Sequence, residues 1–170
     1  LYEGSSDPTT RNVTVQRARA ESLLTFARPV VERVARHLDI GCSLGILLQR
    51  FAETYHCQPV GIEPGEAHRA HAQKEGLTVY AGLEELKKAG EEHFDLVTMS
   101  HVLEHLLHPV EYLIHLRETV LTPDGWLLLE VPNLYAHDSF EVAHLLAFSP
   151  HTLREVLRKS GFSIVKFEQH

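Results

Sequence analysis

Two stretches of this chain carry residue types whose spacing suits chemistry. In "HVLEH" (101–105) two histidines flank a glutamate with the spacing H-x-x-E-H, the local pattern of one class of zinc peptidases. In "LDIGCSLG" (38–45) an apolar run ends in Gly41 and Gly45, and "GIEPG" (61–65) places Glu63 twenty-two positions after Gly41. Glycines there let the backbone turn sharply and approach a ligand. A carboxylate at the end of the next strand can accept both hydroxyls of a ribose. Loop and acid together indicate a ligand containing a nucleoside.

The dinucleotide fingerprint G-x-G-x-x-G is not met, because its second and third glycine positions, counted from Gly41, are Ser43 and Ile46. Those glycines clear space for a pyrophosphate and for close helix packing. A phosphate-free nucleoside needs no such clearance. S-adenosylmethionine is one, and its ammonium and sulfonium suit an acidic pocket rich in backbone groups. A nicotinamide oxidoreductase is disfavoured on the same ground.

A zinc site at "HVLEH" would need both histidines on one helix face, a third protein ligand and the glutamate as base for a bound water. The pentapeptide instead follows the apolar "FDLVTMS" (94–100) directly. His101 is therefore expected at a strand tip, with Glu104 and His105 beyond the turn, fixing the loop by hydrogen bonds.

The elements that must position these residues alternate in period. A helix is expected from Val13 to Ala27, with Arg11, Arg17 and Arg19 as cations that could cover a ligand or meet an anionic acceptor. Strands are expected at 34–40, 59–63, 77–81, 94–100, 126–132 and 162–168, with a turn at "PDG" (123–125). Leu44, Leu47, Leu48, Phe51, Ala52 and Tyr55 form one helical stripe. Further helices are expected at 65–75, at 83–88 and from Pro109 to Leu121. Another begins at the Ser149 cap with Pro150 behind it, stapled by Phe148 and Leu153, and closes at Gly161. Near-continuous apolar strands alternating with helices specify an α/β fold, a doubly wound, mainly parallel sheet with helices on both faces.

The 170 residues suffice for one core-bearing domain. Residues 1–30 read as an N-terminal arm and helix covering the cofactor and acceptor side, and 31–170 as the cofactor-binding domain. A net charge of −7 argues against nucleic acid as the main partner. No run approaches the roughly 18 apolar residues of a membrane span. Two cysteines make no disulfide framework, which points to a reducing cytoplasm.

These motifs, in this order, resemble a class I S-adenosylmethionine-dependent methyltransferase of the small-molecule group that includes quinone-biosynthesis and sugar-tailoring enzymes. The similarity runs over 34–168 through "HLDIGCSLG", "VGIEP", "YAGLEEL", "FDLVTMSHVLEHLLHP", "LLLEVPN" and "FSPHTLREVLRKSGF". It implies a Rossmann-like fold in which Asp39, Gly41, Cys42 and Gly45 hold the amino-acid part of S-adenosylmethionine. Glu63 would take the ribose, Gly82 and Leu83 the adenine, and Ser100 with His101 would line the methyl-donor side. The product would be S-adenosylhomocysteine and the partner a small-molecule acceptor, methylated on oxygen, nitrogen or carbon.

The family sheet normally ends in a seventh strand paired with the sixth, and nothing in this sequence supplies it. Some quinone O-methyltransferases use acidic and histidine groups in the fourth-strand segment with a divalent metal. Here His101 stands where those enzymes often have glutamate, and no metal is assigned. His101, His137 and His144 are the candidate bases for deprotonating an acceptor. His144 reads equally well as a core histidine beside Leu145, Leu146 and Phe148. Two other functions stay open: a cofactor-binding sensor or partner subunit without transfer activity, and a zinc hydrolase built on "HVLEH".

Overall fold

The computed structural model describes residues 10–136 and 143–169. Helix α1 (Thr10–Ala27) leads into β1 (Arg36–Ile40), α2 (Ile46–Tyr55), β2 (Gln58–Ile62), α3 (Glu66–Lys74), β3 (Thr78–Tyr80) and α4 (Leu83–Lys88). Then come β4 (Phe94–Ser100), a single turn at Leu103–His105, α5 (Pro109–His115) widening into Leu116–Val120, β5 (Leu121–Glu130) and α6 (Pro150–Lys159). The five strands form one parallel sheet in the order β3-β2-β1-β4-β5. The chain thus winds outward from β1 to β3 and crosses back to place β4 beside β1. That reversal opens a crevice beyond the carboxyl ends of β1 and β4, the place where open parallel sheets bind ligands.

Both faces of the sheet are covered, as the apolar strands require. Leu38 and Ile40 of β1 join Val97 and Met99 of β4 in one core cluster, which extends to Leu86 of α4, Leu113 of α5 and Leu153 of α6. On the other face Leu23, Leu24 and Ala27 of α1 pack with Phe51 of α2, Leu96 and Leu128. The α2 stripe read from the sequence buries Leu48 and Phe51. Ser149 caps α6 through a 3.2 Å bond from Thr152 N–H, and Thr152 Oγ1 accepts the Ser149 N–H at 2.9 Å. Phe148 and Leu153 share the main core, as a staple across this cap demands.

Two expectations are corrected. The "PDG" turn lies inside β5, whose pairing jumps from Phe94–Leu121 to Leu96–Trp126. Residues 122–125 bulge from the ladder and the strand resumes with Trp126, so Pro123 never has to donate to a neighbour. The expected sixth strand at 162–168 does not form. A strand exists only through a partner's backbone, and this segment is tied instead by side chains. Lys166 Nζ donates to Phe26 O at 3.1 Å and lies 4.3 Å over the Phe26 ring, while Arg154 lies 3.9 Å over Phe167. A cleft of about 1460 Å³ separates the segment from the outer edge of β5 and is walled on a third side by α1.

Phe51 is fully buried between α1 and the sheet. Phe51→Ala is expected to destabilise the domain by about 3–5 kcal/mol through lost burial and a residual cavity, measured as a shift in the urea unfolding midpoint.

Candidate active site

Sequence places Asp39 one residue before the end of β1, and the sheet register sets it opposite Thr98 of β4 and Gly61 of β2. Its side chain points toward the α2 face and is 4% exposed. Thr98 Oγ1 donates to Asp39 Oδ1 at 2.6 Å, and His37 Nε2 lies 2.8 Å from the same hydroxyl. Burial pushes the Asp39 carboxyl up to about 7; the Thr98 bond opposes that rise and the charge of Glu63 adds to it. Burial alone pulls the His37 imidazole down to about 3.

Beyond β1 the glycine loop folds as the sequence demands. Gly41 and Gly45 take φ of 78° and 80°, conformations natural only to glycine. A Cβ on Gly41 would lie 2.6 Å from Val102 Cγ2, and one on Gly45 would strike Leu77. The N–H groups of Gly41 and Cys42 both donate to Ile62 O, at 2.8 and 3.0 Å, binding the loop to β2. The Cys42 thiol packs where Gly61 lacks a side chain. Burial, followed by the charges of Asp39 and Glu63, raises its pKa far above the usual thiol range, so it is no nucleophile.

Glu63 joins the two loops. Its Oε2 accepts the Ser43 N–H at 2.8 Å and its Oε1 accepts the Gly65 N–H at 2.7 Å. Each oxygen keeps a further lone pair, as bidentate contact with a diol requires. Gly82 and Leu83 sit at the start of α4 beyond β3, and Glu63 N–H donates to Tyr80 O at 2.9 Å, which fixes the third strand end against the second. Over the loop lies α1, whose Gln16 Nε2 donates to Ser43 Oγ at 3.2 Å.

The opposite lip belongs to β4 and β5. Ser100 hydrogen-bonds Glu130, which also meets Arg19 of α1 at 3.4 Å. His101 stands at the β4 tip with φ of 56°, a left-handed backbone that costs a residue with a Cβ about 1–2 kcal/mol. Its Nδ1 lies 3.4 Å from Glu104 Oε1 and its Nε2 3.8 Å from Glu130 Oε2, so the imidazole stands between two carboxylates.

His144 is also brought here: its Nε2 is 4.0 Å from Glu104 Oε1. It is not a side chain of the apolar core, for its neighbours include the carboxylate and the ring of His105, centroids 5.0 Å apart. His137 lies outside the described residues.

The loop-fixing role expected of Glu104 and His105 is met, with a division of labour. Glu104 O accepts Leu145 N–H and Leu146 N–H at 2.9 and 3.0 Å, and His105 Nδ1 lies 2.9 Å from Ala143 O. The Glu104 carboxylate, only 1% exposed, has no hydrogen-bond partner on either oxygen among the described residues. Ligand atoms of Glu104, His105 and His144 lie within 4.8 Å of one another. A carbonyl on His105 Nδ1 holds the proton on that nitrogen and leaves Nε2 as a lone pair, the usual support of a ligating histidine. A buried carboxylate without a hydrogen bond and an oriented imidazole together fit a divalent cation. His144 is the third residue of this group.

Sequence reasoning overlooked Glu130, Thr98 and His37. Glu130 and Thr98 interrupt the apolar runs "WLLLEV" and "LVTM", and that interruption was the available signal; His37, in "RHLDI", stands among other polar residues and gave none.

A family described as "Methyltransferase domain" matches residues 13–166. The ubiquinone biosynthesis O-methyltransferase of Roseobacter denitrificans is 30% identical over 163 residues, which cover 82% of this chain and 64% of that protein. Among solved structures, a SAM-dependent methyltransferase from Archaeoglobus fulgidus superposes with a TM-score of 0.69 at 24% identity, covering 88% of this chain and 71% of that one. The cyclopropane synthase MmaA2 from Mycobacterium tuberculosis gives 0.68 at 20% identity, covering 96% and 65%. These structures share the fold. Among the described residues no helix is long and apolar enough to cross a membrane.

Asp39 and His37 pull stability in opposite directions with pH. Asp39, raised to about 7, stabilises the folded state fully below about 4 and loses that contribution as pH climbs to 7. His37, lowered to about 3, contributes above 6.5 and loses that contribution as pH falls. Between about 4 and 6.5 the two slopes, each about 1.4 kcal/mol per pH unit, cancel. In His37→Phe the Asp39 slope is expected to stand alone, with stability falling as pH rises from 4 to 7. Denaturant melts across that range measure it.

Proposed function

The chain belongs to the methyltransferase-domain family, and from that premise we propose that it transfers the methyl group of S-adenosylmethionine to a hydroxyl of a small-molecule acceptor, with His101 as the base. One observation carries the reading: an imidazole at the β4 tip, in a left-handed backbone and flanked by two carboxylates, stands on the crevice lip opposite the glycine loop. Oxygen is favoured as the methylated atom because a hydroxyl must lose a proton and a carboxylate-flanked imidazole accepts one. The name of the Roseobacter relative, an O-methyltransferase, points the same way. The chain spans 64% of that relative's length.

S-adenosylmethionine supplies a methyl carbon already activated by its sulfonium, so the protein contributes alignment, desolvation and proton removal. Asp39 faces the cofactor's ammonium, and the N–H groups at the head of α2 face its carboxylate. Gly41, Cys42 and Gly45 bring backbone close to this part of the ligand. Glu63 accepts the ribose hydroxyls, Gly82 and Leu83 border the adenine, and Ser100 lines the sulfonium side. The acceptor meets His101 at the β4 tip, beside Glu130 and Arg19. His101 takes the acceptor's proton, and Glu130, joined by Glu104 when no cation is bound, stabilises the resulting imidazolium. A divalent cation held by Glu104, His105 and His144 would supply a Lewis acid at the acceptor's oxygen; two imidazoles and one carboxylate suit zinc better than magnesium.

Three measurements test this reading. Glu63→Gln is expected to weaken S-adenosylmethionine binding at least tenfold by calorimetry, since one hydrogen bond to a charged group is worth about 1.5–3 kcal/mol. With a catechol acceptor, His101→Gln is expected to lower methyl transfer roughly 10²–10⁴-fold while cofactor affinity stays within a few-fold. Unchanged transfer would remove His101 from the role of base. For the cation, elemental analysis after equilibration with zinc should find one ion per chain, lost in Glu104→Gln.

A further inference from the structure

Beneath the crevice lies a polar chain that the transfer chemistry itself does not use: His37, Thr98 and Asp39, respectively 0%, 0% and 4% exposed. A threonine hydroxyl has one proton, and the two short contacts, 2.8 Å to His37 Nε2 and 2.6 Å to Asp39 Oδ1, compete for it. Leu38 O, at 3.5 Å, is too far to compete with them, so the chain runs in one of two ways. Either His37 Nε2–H donates to Thr98, which donates to Asp39 Oδ1, the arrangement an ionised Asp39 requires, or a protonated Asp39 donates to Thr98, which donates to a bare His37 Nε2.

His37 decides between them. Its Nδ1 is buried without a hydrogen-bond partner, and its ring packs against Phe51 with centroids 4.9 Å apart. In the first arrangement that orphan nitrogen is a lone pair; in the second it is an N–H. Buried orphan donors are rarer and costlier than buried under-satisfied acceptors. The imidazole, kept neutral by burial, therefore holds its proton on Nε2 and sends the hydrogen bonds toward the carboxylate.

We propose that His37 and Thr98 are positioning residues, forming a hydrogen-bond wire of fixed direction that favours the carboxylate form of Asp39, with Oδ1 engaged and Oδ2 left for the cofactor's ammonium. This rests on the reading that Asp39 meets that ammonium. Asp39 also faces Glu63 from the end of β2 and the neutral Cys42 thiol from the glycine loop; burial and, after it, the Glu63 charge work against its ionisation. Thr98 is the group that opposes them. A core threonine and a core histidine thus act on ligand affinity through a carboxylate they never share with solvent.

The experiment pairs a spectroscopic with a binding readout on the intact chain. Long-range ¹H–¹⁵N spectra of the wild-type histidines are expected to show His37 as the neutral Nε2–H tautomer from pH 6 to 8; the Nδ1–H tautomer would overturn the wire. Calorimetric titration with S-adenosylmethionine is then compared across pH 6–9 for wild type, Thr98→Val and Thr98→Ser. Thr98→Val should move the rise in affinity upward by about one pH unit or more, so that binding at pH 6.5 is roughly tenfold weaker and recovers by pH 9. Thr98→Ser should restore the wild-type profile. A Thr98→Val profile that coincides with wild type, or is weaker by the same factor at every pH, refutes the proposal. Asp39→Asn separates the two layers: if it binds the cofactor as wild type does, the ammonium reading fails. The wire is then judged by the tautomer and by the ¹³C titration of the Asp39 carboxyl, expected at higher pH in Thr98→Val than in wild type.

Discussion

The pairing of β1 with β4, with Asp39 opposite Thr98, is the constraint on which the rest of the site depends. Parallel pairing at this point forces the chain to reverse its direction of winding. It therefore leaves two loops diverging from adjacent strand ends, with a crevice between them. The same register sends Leu38, Ile40, Val97 and Met99 to one core face. The opposite face of these two strands receives Leu96 and the polar trio His37, Asp39 and Thr98. A shift of one residue would exchange the two sets and put three polar groups among the leucines of α4–α6. Apolar patterning on one face and hydrogen bonding on the other thus select a single register, and that register builds the crevice.

Charge in the crevice follows from where the acids fall along the strands. Asp39 and Glu63 end β1 and β2, Glu130 ends β5, and Glu104 lies one turn beyond β4. Four carboxylates converge on one end of the sheet with α1 supplying Arg19 as a counter-charge. Such a field concentrates cations and repels phosphate-bearing ligands, which accords with a ligand carrying an ammonium and a sulfonium. Converging acids also raise one another's cost. Thr98, the Ser43 and Gly65 N–H groups and the Ser100 hydroxyl all point at them.

Much of this was legible in the sequence because it is local. The glycine loop, its spacing to Glu63, the α2 stripe and the α6 cap depend on neighbours within a few residues, and all took the expected form. What escaped depends on partners far along the chain. Glu130 matters because β5 pairs with β4, which sets it against Ser100 and His101. His37 matters because it meets Thr98, sixty-one residues on. "FSIVKFE" has a strand's composition but pairs with no strand among the described residues; its lysine and phenylalanine meet α1 and α6 instead. The His144 position had two readings in the sequence, and the backbone bonds from Leu145 and Leu146 to Glu104 bring it to the carboxylate.

The left-handed backbone at His101 has a consequence for how such a protein can evolve or be engineered. Glycine would occupy that conformation without strain, so substitution toward glycine relieves a steric penalty while removing the imidazole. Selection for robustness alone would thus erode the β4 tip, and a chain that keeps histidine there is held below the stability its backbone would allow. The tension between durability and chemistry is concentrated in one pair of dihedral angles.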